Sequence, residues 1–278
     1  MEIDMQSLAL ALVLALPGIA EEEPLTAEAI ARDAAAPLTF SITPGAWLIR
    51  LRGSSSWGGG SLTYDDQLGM DDMDPAFRGE LRIGRDDWGI WMMGTSFSTT
   101  GSGSFGGNGI WDGQNYSAGQ QFSSSFDMTN IAIEGQWNPL DLIGEPNAHI
   151  PLFLTFGGHV GGLYTDMKQT LDFGGYRSEA KGEYASLYGG VQALLRMDTM
   201  DRVPWLRRME FRASGSAGAT LGDDGGTMWQ VRADLRFFLT EHFALLFGYR
   251  LLELNLSDDQ YEANPSLQGL YVGATFDF

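Results

Sequence analysis

The chain contains 278 residues with no cysteine, and its formal net charge at pH 7 is −19. So acidic a chain lacks the basic face that nucleic acid requires, which excludes nucleic acid as an expected partner. The lack of cysteine excludes disulfide bonds and thiol chemistry. Mean hydropathy is −0.12, and no stretch reaches the roughly 20 apolar residues of a membrane-spanning helix. A transmembrane β-barrel remains compatible with that value, because only alternate strand residues face lipid.

The N-terminal region predicts an exported protein. A short apolar run, Leu8 to Leu16, is followed by small residues up to Ala20, as in a signal peptide and its cleavage site. The first six residues depart from that pattern, because they contain two acids and no base. We therefore predict a signal peptide over residues 1–20, an acidic periplasmic lead-in over residues 21–45, and a barrel domain over residues 46–278.

From Ala46 onward, apolar and polar residues alternate with period two, which indicates β-strands. The prediction is an all-β fold, a closed antiparallel transmembrane β-barrel of about ten strands, with eight or twelve as the alternatives. The predicted strands are Ala46–Trp57, Phe77–Gly84, Trp88–Ser98, Phe126–Trp137, Ile150–Tyr164, Tyr184–Met197, Leu206–Ser216, Met228–Phe238, Phe243–Leu254 and Gly269–Phe278.

The connections alternate in length, which predicts the orientation, since such barrels have short periplasmic turns and longer outer loops. The short class comprises 85–87, 138–149, 198–205 and 239–242. The outer connections are predicted to be mostly long and acidic, with Asp223–Thr227 as a short exception. Tryptophan collects at membrane interfaces, and six of the eight tryptophans fall at predicted strand ends: Trp47, Trp88, Trp137, Trp205, Trp57 and Trp229.

The last strand, Gly269–Phe278, has an unbroken apolar parity from Leu270 to Phe278. It resembles the closing strand of bacterial, Gram-negative-type, outer-membrane β-barrel proteins. In that family, a C-terminal strand of alternating apolar residues ending in Phe is the signal read by the barrel-assembly machinery. The resemblance implies that role for Tyr271, Phe276 and Phe278. It also implies localisation in the cell outer membrane, with outer-membrane lipid and the assembly machinery as partners.

The polar parity predicts a charged lumen. Its members are Arg50, Arg52, Arg78, Glu80, Arg82, Glu134, Arg208, Glu210, Arg212, Arg232, Asp234 and Arg236, together with Arg196, Arg250 and Asp277. Ten bases against five acids leave an excess of five positive charges. Paired arginines and acids commonly fill narrow barrels, and an anion-selective constriction is the alternative. Small anions are therefore possible partners. A second hypothesis is that the acidic segment Glu21–Pro37 neutralises the excess charge as a plug in the periplasmic mouth of the barrel. The alternative for this segment is a plain tether.

Candidate catalytic residues are few, because the chain has three histidines. His149 and His242 fall in predicted turns, and no acid or nucleophile is predicted beside His159. No Asp-x-His occurs, although omptin-type barrel proteases need one at the outer rim. The five acids of the first long loop lack the spacing of an EF-hand.

We therefore predict no catalytic, cofactor or metal site. The predicted function is a non-enzymatic outer-membrane barrel, acting as a structural or surface-interaction protein or as a narrow, porin-like pore. The alternative is a barrel enzyme acting on lipid or peptide, either omptin-like or modifying lipid A. The sequence identifies no surface ligand.

Overall fold

A computed structural model describes residues 38–85, 88–145, 152–199, 203, 205–221, 225–258 and 261–278. The predicted signal peptide, most of the lead-in with its proposed plug, and His149 lie outside the described residues. The strands are β1 (Thr39–Trp57), β2 (Gly60–Thr63), β3 (Met73–Gly84), β4 (Trp88–Ser104), β5 (Gly109–Trp111), β6 (Gln114–Tyr116), β7 (Gln121–Glu145), β8 (Leu152–Phe173), β9 (Tyr176–Asp198), β10 (Arg208–Leu221), β11 (Gly226–Phe238), β12 (Phe243–Asp258) and β13 (Tyr261–Asp277). In the described part of the chain, no helix is long and apolar enough to cross a membrane.

Ten of these strands form one closed antiparallel barrel, in the order β1, β3, β4, β7, β8, β9, β10, β11, β12, β13. The seam is closed by β13, which pairs with β1 from Ser41–Asp277 to Trp57–Tyr261. This confirms the predicted fold class and strand number. Because β1 begins at Thr39, the barrel starts before the predicted boundary at residue 46. The short strand β2 folds back on β1, while β5 and β6 form a separate hairpin.

The half of the barrel nearest the chain termini, here called the near half, carries an apolar belt on its outer surface. In the closing strand the alternation is as predicted, since Leu270 is 60% exposed and Tyr271 only 1%. The belt comprises Ile42, Leu48, Phe77, Leu81, Ile83, Trp88, Ile90, Met92, Ile131, Ile133, Trp137, Val160, Tyr164, Leu187, Val191, Phe211, Val231, Leu245, Phe247, Tyr249, Leu270, Val272 and Phe276. A barrel in water buries such residues, whereas a barrel in lipid exposes them.

The opposite half, here called the far half, inverts this arrangement. On β8 and β9 most residues of the outward parity beyond Tyr164 are charged, including Lys168, Glu179 and Lys181. The inward residues at the same level are apolar, as Met167 and Leu171 are each 1% exposed. An apolar interior with a charged exterior is the arrangement that water favours. The far half therefore projects beyond the belt.

The prediction of a long outer loop between Tyr164 and Tyr184 is wrong, because β8 and β9 continue through this region and meet at a two-residue turn. Gly174 and Gly175 form that turn with φ values of 57° and 80°, a conformation that glycine adopts without steric cost. The β12–β13 connection is also short, because β12 continues to Asp258 and β13 begins at Tyr261. The backbone hydrogen bonds between these strands continue beyond the point at which the outward side chains stop being apolar. The prediction ends each strand at that point, which is why it is too short.

The prediction that Arg50 and Arg52 line the lumen is also wrong. Ile49 and Leu51 are each 0% exposed, so their parity points into the barrel. Arg52 is exposed on the opposite face and Arg50 is half-buried there. The prediction placed the apolar parity of every strand on the outside. On β1 above Leu48, however, the strand has left the belt and its polar parity faces water.

Trp47 differs from the prediction in a similar way. It was expected at a membrane interface, but it is 0% exposed and lies inside the barrel. Its indole nitrogen donates a 3.1 Å hydrogen bond to the carbonyl oxygen of Gly269, and the Arg250 guanidinium lies 5.4 Å from its ring. By contrast, Trp88, Trp137 and Trp205 are exposed, as expected for interfacial residues.

The mouth of the far half is closed from within. The segment 64–70, between β2 and β3, folds into the barrel, where Tyr64, Leu68 and Met70 are each 0% exposed. The β5–β6 hairpin lies over them and buries Trp111 to 1% exposure. Phe105 stacks on Tyr116 with ring centroids 3.9 Å apart. These side chains join an apolar core that fills the far half.

Closure of the ten strands leads to a first prediction. Because every barrel strand pairs on both sides, unfolding must break the whole sheet, and detergent alone should not do so. We expect the detergent-solubilised protein to be mostly β by far-UV circular dichroism and to migrate faster on a gel unheated than boiled. A protein that stays soluble without detergent and shows no mobility difference would contradict the assignment of a membrane barrel.

Candidate functional site

The interior of the near half is a layer of charged and amide side chains. It arises because the inward parity of β3, β7, β10, β11 and β12 is polar at this level. Among the described residues, five arginines and four carboxylates are buried: Arg78, Arg212, Arg232, Arg236, Arg250, Glu80, Glu134, Glu210 and Asp234. Buried charges are costly unless they are paired and hydrogen-bonded, so the contacts of this layer decide its role.

Glu80 is the centre of the first ion-pair group. Arg78, on the same strand, donates a 2.6 Å hydrogen bond to one carboxylate oxygen. Arg236, on β11, donates a 2.8 Å hydrogen bond to the other. The side chains of Glu80 and Arg78 are 2% and 1% exposed. One carboxylate therefore compensates two buried cations and ties β3 to β11 across the lumen.

Glu134 is the centre of the second group. Gln136 donates a short hydrogen bond to it, and the Tyr188 hydroxyl donates another of 3.3 Å. Arg232 approaches one carboxylate oxygen to 3.7 Å, and His159 approaches the other to 4.0 Å. The expectation that no acid lies beside His159 was therefore wrong. The acid comes from the neighbouring strand β7 rather than from the residues adjacent to His159 in sequence.

Trp91 lies at the centre of the layer, with its side chain 0% exposed. Four guanidinium groups surround its ring, at centroid distances of 4.1 Å for Arg212, 5.1 Å for Arg232, 5.3 Å for Arg236 and 5.6 Å for Arg82. Each contact places a cation beside an electron-rich aromatic system, which is attractive. Sequence reasoning missed this residue because Ile90, Trp91, Met92 and Met93 are all apolar. In the sheet, Trp91 lies opposite Arg82 of β3 and Glu134 of β7. Because opposite residues of paired strands point to the same face, this pairing places the Trp91 side chain in the lumen.

Three further predicted lumen residues lie at the end of the lumen nearest the chain termini: Arg82, Arg196 and Arg208. Arg208 is half-buried, lies 3.1 Å from Glu210 and stacks over Phe238 at 3.8 Å. Arg196 stacks over Phe153 at 4.6 Å. Arg82 donates a 3.2 Å hydrogen bond to the carbonyl oxygen of Arg85.

The predicted assembly-signal residues do not share one environment. Tyr271 faces the lumen, where the Arg78 guanidinium lies 4.3 Å from its ring. Phe276 and Phe278 face outward and are 41% and 71% exposed. The main chain of Phe278 exchanges hydrogen bonds of 2.8 and 3.2 Å with Phe40.

The charged layer can hold buried charges in ion pairs, and its one His–carboxylate pair among the described residues is enclosed. His159 and Glu134 are 2% and 1% exposed in their side chains, beneath the filled far half. Over the ranges that the structure describes, no group of three or more His, Asp or Glu side chains could hold a metal ion.

Comparison with known proteins finds likeness at the level of the fold. No family model and no curated protein matches the chain. Among solved structures, the chain is similar to the outer membrane protease OmpT from Escherichia coli, with a TM-score of 0.42 and 9% identity over 86% of this chain and 97% of that one. It is also similar to Ail, the attachment invasion locus protein of Yersinia pestis (TM-score 0.34, 12% identity, 86% and 98% covered), and to Neisserial surface protein A (0.35, 11%, 86% and 97%). The function is therefore inferred from the residues of the barrel itself.

Proposed function

We propose that this protein is a non-enzymatic outer-membrane β-barrel that conducts no ions and acts at the cell surface through its far half. The observation that carries the proposal is the filling of the far half by fully buried side chains. Tyr64, Leu68 and Met70 enter the lumen from one connection, and Trp111 covers them from another. An ion crossing this region would have to displace a packed apolar core, which is energetically unfavourable.

The exterior of the far half supports a role in surface interaction, because its charges are held in place. Lys168 and Lys181, the two lysines of the chain, lie 3.0 and 2.7 Å from the Glu179 carboxylate. Their hydrogen bonds lower the pKa of Glu179 to about 2. Arg177 lies 3.9 Å from the same residue. This cluster presents a defined pattern of charge to a partner at physiological pH.

The alternative of a barrel enzyme lacks an exposed catalytic arrangement among the described residues. The pair formed by His159 and Glu134 is buried, and the packed far half separates it from that mouth of the barrel. A substrate would need access that this arrangement does not offer. We therefore propose that the pair has a structural role.

Planar-bilayer recording tests the proposal. We expect the refolded protein to give no single-channel steps under conditions in which a general porin, as the positive control, gives steps readily. Stepwise conductance would refute the closed barrel and favour the narrow pore. Incubation with a peptide mixture and with lipopolysaccharide, followed by mass spectrometry, tests the second part of the proposal. Cleaved peptide or altered lipid would refute the non-enzymatic assignment.

A further inference from the structure

We propose that the far half pairs with a second copy of this chain, held in a facing membrane, through the outer edge of strand β9. The pairing is antiparallel and centres on Ala180, and it joins the far halves of two barrels into one continuous sheet. This inference deepens the surface role proposed above and rests on it, because it names the partner that the far half would meet.

The β8–β9 hairpin extends beyond its neighbour on one side. Strand β9 pairs with β8 as far as Tyr176, next to the turn, whereas β10 ends at Leu221, opposite Ala185. For residues 176–183, no backbone hydrogen bond is formed on the β10 side within the described part of the chain. An unpaired strand edge is a template for pairing with another chain.

The other edge of this projecting sheet is covered. It is formed by β4, which continues past its last pairing with β3 at Ser96. The segment 64–70 lies against it, since a Cβ atom on Gly101 would collide with the Leu68 carbonyl oxygen. Ser124 on β7 donates a 2.7 Å hydrogen bond to that same oxygen. In the ranges that the structure describes, the edge of β9 has no equivalent cover.

The overhanging part of β9 is held in place by the β5–β6 hairpin, which packs on its inward face. The Trp111 indole donates a 3.2 Å hydrogen bond to the Ser178 hydroxyl. Ser178 and Tyr176 in turn donate to the Asp112 carboxylate, at 3.0 and 2.6 Å. The edge is therefore preorganised, which lowers the conformational cost of adding a strand.

The outward charges of this stretch select one partner strand. In chain order they are Arg177, Glu179, Lys181 and Glu183, which alternate in sign. An antiparallel pair centred on Ala180 places Arg177 opposite Glu183 of the second copy. It also places Glu179 opposite the second copy's Lys181. Every charge then faces an opposite one, and such cross-strand pairs stabilise a sheet. Sliding one strand by two residues puts Glu179 opposite Glu179 in one direction and Lys181 opposite Lys181 in the other.

The shape of the hairpin selects the same centre independently of the charges. Ala180 lies midway between Gly175, in the turn, and Ala185, where β10 ends. Centring on Ala180 therefore sets the tip of each hairpin against the end of β10 in the other copy, and the whole overhang is used. The inward residues around the two-fold axis are Ser178, Ala180 and Gly182. These side chains are small, so none of them obstructs the axis.

Antiparallel pairing also fixes where the second copy must be. A two-fold axis perpendicular to the sheet keeps both charged faces on one side but inverts one barrel relative to the other. Because the apolar belt of each barrel lies in a membrane, the two copies must belong to membranes that face each other. The proposed interaction therefore links two cells or two vesicles.

Clustering of phosphatidylcholine vesicles that carry the refolded protein, followed by light scattering at about 0.15 M ionic strength, tests the proposal. The parent should cluster, because many weak contacts between two vesicles act together. Lys181→Glu alone and Glu179→Lys alone should each lose clustering, since each variant places like charges opposite each other. A mixture of vesicles carrying the two variants should cluster again, because their charges are complementary. Both positions are exposed, so unheated gel mobility should show normal folding.

Disulfide crosslinking tests the register, since the chain has no cysteine. Vesicles with Arg177→Cys and vesicles with Glu183→Cys should crosslink when mixed and oxidised, while neither should crosslink alone. Only the mixture brings two cysteines directly opposite each other. The matched control is Lys168→Cys, which is outward on β8 and away from the edge. Mixed with Glu183→Cys, it should give no crosslink.

Four results would overturn the proposal: parent vesicles that stay dispersed, single variants that cluster as the parent does, no recovery in the mixture of variants, or crosslinking of Arg177→Cys with itself. None of these results bears on closure of the barrel or on catalysis. Channel steps or peptide cleavage would refute the proposed function while leaving clustering unchanged, so the two failures are distinguishable.

Discussion

Replacing Glu80 with Gln is expected to lower the free energy of unfolding by about 3–5 kcal/mol, the range for removing one partner of a buried charge pair. The reason is that Glu80 accepts hydrogen bonds from both Arg78 and Arg236, at 2.6 and 2.8 Å. The amide of Gln can accept from one of them but carries no charge. Two guanidinium groups would then be left in a lumen from which they cannot reach bulk water.

Glu210→Gln is the matched control. Its side chain is also inward and pairs with an arginine at 3.1 Å, but that partner, Arg208, is 33% exposed. Solvent screens the remaining charge there, so the expected loss is about 1 kcal/mol or less. Urea titrations of both variants, refolded into liposomes, give the two free energies. Equal losses would show that burial of the Glu80 pairs does not determine their contribution.

A companion variant separates lost pairing from lost packing. The double variant Glu80→Gln with Arg236→Met removes the carboxylate together with one of the two cations that it pairs with. This double variant should recover a large part of the stability lost in Glu80→Gln alone, because residues in one ion-pair network do not act additively. If the two losses simply add, Glu80 and Arg236 are not coupled and the proposed tie between β3 and β11 is incorrect.

Phe278→Asp is expected to reduce strongly the amount of assembled protein in the outer membrane, while changing the free energy of unfolding after refolding in vitro by only about 0.5 kcal/mol. We propose this difference because Phe278 is 71% exposed and contributes little packing. Its hydrogen bonds to Phe40 are made by the main chain and survive the substitution. The side chain is thus available to be recognised during assembly.

Leu38→Asp is the control for placing a carboxylate at this end of the barrel. Leu38 is apolar, 56% exposed and next to the first strand, but it is not part of the resemblance to the closing strand. Assembly of Leu38→Asp should therefore stay near the parental level. Fractionation of cells expressing each variant, with unheated gel mobility as the measure of folding, provides the comparison. Equal outer-membrane levels for Phe278→Asp and the parent would remove the recognition role.

The period-two pattern by itself predicted the ten barrel strands, although not where each of them ends. In the closing strand, Leu270 and Tyr271 face opposite sides as predicted, because alternation is a local property of extended backbone. The inward charges Glu80, Arg232 and Asp234 were also recognisable locally. They lie at the level of the belt, where the opposite face of each strand meets lipid and a charged side chain therefore points into the lumen.

The partners of those charges were decided only by the tertiary structure. Glu80 and Arg236 are 156 residues apart in sequence, and His159 on β8 meets Glu134 on the neighbouring strand β7. Parity tells which side a residue faces but not its height in the barrel. Height depends on the tilt and stagger of all the strands together, which determine which inward side chains share a level.

The same dependence explains the arginines that were placed on the wrong face. Whether an outward residue of β1 meets lipid or water is decided by its height relative to the belt, and Arg50 and Arg52 lie above it. The far half therefore has an apolar interior, although the near half of the same strands has a polar one. Alternation is encoded residue by residue, but the medium that each face meets is set only when the closed barrel fixes the position of every strand.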